Sequence, residues 1–426
     1  MSREDAGWRW KSARAWRRWM TVLWVAVRGI VGLSAADWPQ FLGPNRNGST
    51  PEIVGSSWPA EGPTRRWRLD AGEGFAGPVV SGSRVFLFER QGGDDILTAV
   101  EAGSGRNLWA QRQPTAFVDT MGSGDGPRST PCVAGNRVVT FGADGRLSCF
   151  AVADGRRLWT VEARREWDAD PGFFGFACSP LVVGRLVMLN LGGRRGAGLA
   201  AFELETGKPA WKCTDSEAGY ASPVPVPGGD ADLVWFFHRD GLAGVAQPSG
   251  EVRFQFPWRS RMSASVNAAS PVVTTNEVFV TSSYGTGAVL LRRRGGDWTT
   301  VWTGDDSLSA HFATPVLHAG HLYGFHGRQE RGAELRCVEW ATGRVRWRHE
   351  APGGGTLALA GDRLVVLLET GELVVAPAVP DGFRPAARAQ VLGRVARAPF
   401  AIAEGALFAR DSRHWVCLQL GATTPP

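Results

Sequence analysis

The sequence predicts an all-β chain: an eight-bladed β-propeller of four-stranded antiparallel blades, closed by an N-terminal strand that completes the last blade. Three observations predict it. The 426 residues include 55 Gly, 26 Pro and 19 Trp, which suits many short strands joined by tight turns and not a helical bundle. A Pro followed by an apolar strand recurs along the whole chain. Trp returns at a fixed step after a turn glycine.

The first segment, residues 1–36, reads as an export signal. It holds seven basic residues, Arg3, Arg9, Lys11, Arg14, Arg17, Arg18 and Arg28, against Glu4 and Asp5, and so carries most of the formal charge of +6. An apolar run from Met20 to Val27 is broken by Arg28 and resumes at Gly29 to Leu33. Ser34-Ala35-Ala36 offers small residues for cleavage after Ala36, with a short uncleaved anchor as the competing reading. The expected location is periplasmic or otherwise exported, with no further span once the leader is removed. The remaining chain is nearly neutral, which removes the electrostatic footprint of a nucleic-acid binder.

The body, residues 37–426, is expected to be one propeller and a monomer. The repeat starts at Pro78, Pro131, Pro180, Pro223, Pro271, Pro315 and Pro399. These are 43 to 53 residues apart, except for a final gap of 84 that holds a further start at Thr356–Ala360. Each of the eight units offers four strands with glycine turns between them, the pattern of a propeller blade. Gly-x-x-x-Trp places Trp109, Trp159, Trp211 and Trp347 in outer strands; Trp67 and Trp302 share that role. Flat side chains repeated there are expected to dock adjacent blades. The C-terminal run Trp415–Leu420 supplies a third strand and no fourth, so Arg65–Leu69 is expected to close blade eight.

The residues of the body resemble the pyrroloquinoline-quinone (PQQ)-like repeat propellers, in the exported branch found in planctomycete-type bacteria. The resemblance rests on the opening Asp37–Gly48, on Phe256-Pro-Trp-Arg259, Ser265–Pro271, Ser283–Gly287 and Ser309–Leu317. It covers nearly all of residues 37–420. It implies the propeller fold, but the same repeat serves quinone-dependent alcohol dehydrogenases and protein-binding propellers such as BamB.

Six cysteines raise the question of disulfides. Cys149, Cys337 and Cys417 occupy one small third-strand slot that Ala99 and Ala201 fill elsewhere, and read as buried thiols. A bridge among Cys132, Cys178 and Cys213 stays open. His318 and His321 flank a turn at Ala319-Gly320 and are expected as a cross-strand pair, so no metal site is assigned. No haem motif, adjacent Cys pair, nucleophile elbow or phosphate loop is present.

Function in a propeller belongs to the loops that lead from an outer strand to the next inner strand. Two are long, Gln111–Thr130 and Val161–Ser179. The candidate funnel residues are Arg128, Asp168, Phe174, Tyr220, Arg259, Asn267, His311 and Arg397. Arginines suit anionic groups and aromatics suit flat ones. The expected role is non-catalytic: a BamB-like scaffold in the cell envelope that holds an unknown protein or polymer at the long-loop face, with no catalytic residue and no cofactor assigned. The competing reading is a PQQ-dependent quinoprotein oxidising an alcohol or polyol, with calcium held by oxygen ligands. A carbohydrate-binding propeller is a third.

Overall fold

The computed structural model describes residues 37–421 apart from 56, 60, 229–231 and 264. The leader and its cleavage site lie outside the described residues.

Eight sheets form the eight blades, each of four antiparallel strands, and blade 7 takes a short fifth strand, Ser49–Thr50, from the N-terminal segment. Blade 1 runs Val79–Ser81, Arg84–Gln91, Asp94–Glu101 and Asn107–Pro114. Blades 2 to 7 repeat that order, with inner strands beginning at Cys132, Leu181, Val224, Val272, Val316 and Gly355. Blade 8 takes Ala401–Ala403, Ala406–Arg410 and His414–Gln419 from the C-terminal end. Its outer strand is Arg65–Asp70, which pairs antiparallel with His414–Gln419 in the register Trp67↔Cys417. The ring therefore has no open edge at its seam.

The repeated Trp, Gly and small-residue positions form one joint. Each Trp lies opposite the small third-strand slot: Trp109↔Ala99, Trp159↔Cys149, Trp211↔Ala201 and Trp347↔Cys337. The register slips at this point in seven blades. This is a β-bulge that turns the side chain toward the neighbouring blade. The indole N–H then donates to a backbone carbonyl of the next blade: Trp67 to Ala102, Trp109 to Val152, Trp159 to Leu204, Trp211 to Gln247, Trp302 to Trp340 and Trp347 to Val379, at 2.7–3.1 Å. In five of these joints the ring lies on the next blade's turn glycine. A Cβ on Gly155 would come 2.5 Å from Trp109, and one on Gly207 2.7 Å from Trp159. Both glycines also sit at positive φ. Blade 4 has Phe254 in the Trp position, and blade 7 has Ala387, without a bulge.

The residue before each inner-strand Pro makes a second joint. Thr130, Ser179, Ser222, Ser270 and Thr314 each accept, on the side-chain oxygen, the backbone N–H of the equivalent residue one blade earlier. The chain of bonds runs from Gly77 to Thr314 at 2.9–3.0 Å. It ends at Thr314: the equivalent hydroxyl of blade 7, on Thr356, has no hydrogen-bond partner, and Ala398 and Gly77 carry no hydroxyl. The Ser/Thr-Pro motif is thus a hydrogen-bonded belt around the axis, and Pro removes the N–H that the following position would leave unpaired.

The opening segment that carried the family resemblance has a role the sequence did not reveal. It crosses the central channel. Trp38 exchanges both backbone bonds with Val80 of blade 1, and the Pro39 carbonyl accepts from Val133 of blade 2. Arg46 donates to the carbonyls of Ser179 and Pro180 of blade 3, each at 3.0 Å. Gly48 comes so close to Val316 of blade 6 that a Cβ would lie 2.8 Å from it. Ser49–Thr50 pairs in parallel with Leu359–Ala360 of blade 7, and the Glu52 carboxylate accepts from Glu404 and Gly405 of blade 8. This segment plugs the ring.

Two smaller differences concern loops and cysteines. The first long loop is shorter than expected because the outer strand of blade 1 continues to Pro114. The second begins with a one-turn helix, Ala163–Glu166. All six cysteines are free, five of them buried, so no bridge joins Cys132, Cys178 or Cys213. His318 and His321 form a cross-strand pair around Ala319-Gly320.

Candidate functional site

The outer-to-inner connections gather around the axis and surround a mouth of about 210 Å³. Its wall is ordered by the repeat. The residue three positions before each inner-strand Pro faces it in blades 1 to 6: Phe75, Arg128, Ala177, Tyr220, Ala268 and Phe312. Equal offsets from a repeated anchor give equal radial positions, so these side chains stand side by side. Phe41 of the plug also lines it, with Ser179 and Ser222 of the hydroxyl belt.

Five of the eight candidate residues meet in this mouth: Arg128, Phe174, Tyr220, His311 and Arg397. Three do not. Asp168 is exposed and lies 3.6 Å from Arg194. Arg259 sits outside it and pairs with Asp240 and Glu217. Asn267 is buried as a tie, donating to the carbonyls of His238, Arg239 and Trp258, while its own carbonyl accepts from Tyr220 and Ala221. Phe41, Phe75, Phe312 and Gln329 escaped the sequence reading. For Phe75 and Phe312 the signal was present, as the offset from Pro that also yields Arg128 and Tyr220.

The ionisable groups at the mouth already have partners. Arg128 donates to Asp119 at 2.8 Å and to the carbonyls of Gly124 and Gly126. Burial draws it below its usual value, and Asp119 opposes that. Asp119 also accepts the backbone N–H groups of Met121 and Ser123, so the first long loop is folded on its own carboxylate. Arg397 pairs with Glu369 through Nε and Nη2 at 2.8 and 2.6 Å. His311 lies between the Tyr284 hydroxyl at 2.7 Å and Gln329 Oε1 at 2.6 Å. Burial lowers its pKa, which leaves the ring neutral at pH 7. Burial raises the Tyr220 hydroxyl, which accepts the Phe174 N–H at 3.0 Å.

The donor set has a definite chemical character. A quinone with acidic groups would find arginines and aromatic faces here. Calcium would need clustered oxygen ligands, and no Asp or Glu lines the mouth. Among the described residues no group of three or more His, Cys, Asp or Glu is placed to hold a metal. A calcium-bound quinone therefore does not fit this lining, and no step is derived through one.

The face around the mouth exposes apolar side chains among charged ones such as Asp168, Arg259 and Asp305. Of four large hydrophobic side chains that are exposed among the described residues, Val118, Met121 and Met262 stand on outer-to-inner connections of this face. The fourth, Ile53, follows the plug. No helix among the described residues is long and apolar enough to cross a membrane.

Fold and mouth together define a repeat propeller with a plugged axis and an aromatic cup on one face. The chain belongs to the PQQ-like repeat propellers, in the family described as outer membrane protein assembly factor BamB, which matches residues 59–218 and 167–329. No curated protein matches its sequence. Among solved structures it is similar to BamB from Moraxella catarrhalis, with TM-score 0.60 and 14% identity over 85% of this chain and 99% of that one. It is also similar to the quinohemoprotein alcohol dehydrogenase from Comamonas testosteroni, with TM-score 0.68 and 11% identity over 93% and 83%. A europium-containing methanol dehydrogenase gives TM-score 0.67 and 10% identity over 88% and 89%. These likenesses establish the fold.

Proposed function

We propose that the chain is a non-catalytic binding propeller of the cell envelope, a BamB-like scaffold that holds a partner protein on its mouth face. The observation that carries this reading is the rim. Three exposed apolar side chains, Val118, Met121 and Met262, stand on connections of the face that holds an aromatic cup whose charged groups are already paired. Apolar surface concentrated on one face favours a macromolecular partner. His311 at the mouth is hydrogen-bonded on both ring nitrogens, to the Tyr284 hydroxyl and to Gln329.

The full-length protein is titrated with PQQ, with and without calcium. Trp fluorescence reports binding and a dye-linked alcohol assay reports turnover. The expected result is neither saturable quenching nor turnover. Saturable quenching with turnover assigns the chain to the dehydrogenases instead. For the positive half, Val118→Ser, Met121→Ser and Met262→Ser are combined. This variant should retain its Tm and lose a partner that crosslinks to the wild-type protein in the envelope. Equal crosslinking by both proteins overturns the rim as the docking surface.

A further inference from the structure

A larger cleft opens on the mouth face between blades 5 and 6. It measures about 810 Å³, against about 210 Å³ for the mouth. Blade 5 supplies one wall, from the turn after its second strand and the connection after its outer strand. Blade 6 supplies the other, from the loop between its second and third strands and the end of its outer strand. Arg336 of blade 6 ties the walls together: it pairs with Glu334 and donates to the carbonyls of Asp306 and Ser307.

Charge is ordered along this cleft. At its axial end Arg328 lies over the Tyr284 ring, 4.6 Å from the centre, and Tyr284 bonds His311 of the mouth. Arg331 stands on the same loop as Arg328. At the outer end are Asp306, just past the outer strand of blade 5, and Glu350, the last residue of the outer strand of blade 6. Arg331, Asp306 and Glu350 are all exposed, so each has atoms free to meet a ligand. None of these three side chains has a hydrogen-bond or ion-pair partner among the described residues. The neighbouring ionic groups are engaged, Arg328 by Glu330 and Asp305 by the Ser309 hydroxyl. His326 accepts the Ser309 N–H on Nδ1, and burial lowers its pKa to about 4, so it adds no charge at pH 7.

Met262, Ala333 and Pro352 add apolar lining to the same cleft. A free cation toward the axis and two free carboxylates toward the circumference complement a ligand with the opposite charges at its two ends. We propose that this cleft binds an ω-amino carboxylate, with the carboxylate at Arg331, the methylene stem on the apolar lining and the ammonium at Asp306 and Glu350. A lysine at a protein C-terminus presents this chemistry, and so does the free amino acid. The assignment rests on these charges and not on the partner proposed for the mouth face.

The test is saturation-transfer NMR of the full-length protein at constant ionic strength with 6-aminohexanoate, hexanoate and hexylamine. Binding of 6-aminohexanoate should be saturable. Hexanoate and hexylamine each lack one charged end and should bind about fivefold more weakly, the scale of an exposed ion pair. Equal binding of hexylamine means only an acidic surface, and equal binding of hexanoate only a cationic one. Either result, or no binding of 6-aminohexanoate, overturns the proposal. Arg331→Ala should weaken 6-aminohexanoate about fivefold and leave hexylamine unchanged. Asp306→Asn with Glu350→Gln should weaken it likewise and leave hexanoate unchanged. These side chains hold no bond within the described structure, so both variants should keep their Tm. Undiminished binding in either variant removes that end of the site and overturns the assignment. Nα-acetyl-lysine, with a free carboxylate and ε-ammonium but no α-charge, stands for a chain terminus. Tighter binding of it than of free lysine assigns the cleft to a protein C-terminus, and the reverse assigns it to the amino acid.

Discussion

At the scale of single residues, the described structure turns on which charges are paired. Asp95 in blade 1 is 4% exposed, and its Oδ1 has no hydrogen-bond partner. Burial, with Asp144 adding to it, raises its pKa from 3.8 to about 7, against the pull of Arg90 and Arg146. The folded-state value lies above the unfolded one. The stability linked to the protonated carboxyl is therefore present below about pH 4 and is lost as pH rises to about 7. Asp95→Asn should remove this slope and stabilise the protein at pH 8 by a few kcal/mol, since each tenfold change in proton affinity is worth roughly 1.4 kcal/mol. Parallel curves for variant and wild type in urea between pH 4 and 8 would refute it. The two arginines of the mouth should separate in the same assay. Arg128→Ala leaves Asp119 buried with only its N–H bonds and should cost roughly 2–3 kcal/mol. Arg397 is about a third exposed, and its loss should cost under about 1 kcal/mol.

At the scale of elements, blade-to-blade joints explain why the repeat was legible. Gly-x-x-x-Trp is read twice, once by its own blade and once by the neighbour: the Trp reaches forward and the Gly receives the Trp from behind. The repeat alone groups Cys149, Cys337 and Cys417 with Ala99 and Ala201, and the register shows why small residues are needed there, directly across from the Trp. Trp159→Ala and Trp211→Ala should each cost roughly 3–5 kcal/mol, as truncations of packed aromatics do. Gly207→Ala should approach that loss, because it displaces Trp159 and strains a positive φ. A Tm within a degree of wild type for Gly207→Ala would show that the joint yields. Ser222→Ala removes the hydroxyl that accepts the Ser179 N–H and should cost on the order of 1–3 kcal/mol, the penalty of a buried N–H left unpaired. The mouth was only half legible. Arg128, Tyr220, His311 and Arg397 stand two to four residues before an inner-strand Pro and do meet in the mouth. Asn267 has the same offset as His311 but is turned inward as a backbone tie, and Phe174, Asp168 and Arg259 lie farther along their loops, where residue type does not say which way a loop turns.

At the scale of the whole molecule, the fold divides into a periodic part and an aperiodic part. The ring was readable because eight units repeat the same short-range grammar. The plug was not, since its contacts with blades 1, 2, 3, 6, 7 and 8 are all long-range and each is made by a different residue. The seam between blades 8 and 1 also draws on distant sequence. Gly105→Ala should unsettle Trp67, whose ring would lie 2.9 Å from the new Cβ. Amide exchange should then quicken in Arg65–Asp70 and His414–Gln419 together, while blades 3 to 5 keep their protection. Faster exchange confined to Asp94–Glu101 would mean that the seam is not the weak point of the ring.

The strand that closes blade 8 also sets a clock. Residues 65–70 are made long before their partners at 414–419. Until then the early strand has no ladder to join, and a ring of seven and a half blades has two unpaired flanks. Closure over so long a stretch of chain is slow by nature, and exposed strand edges invite pairing with other molecules. The nascent ring thus stays an open arc until residues 414–419 are made, and closure comes in one event when they meet residues 65–70.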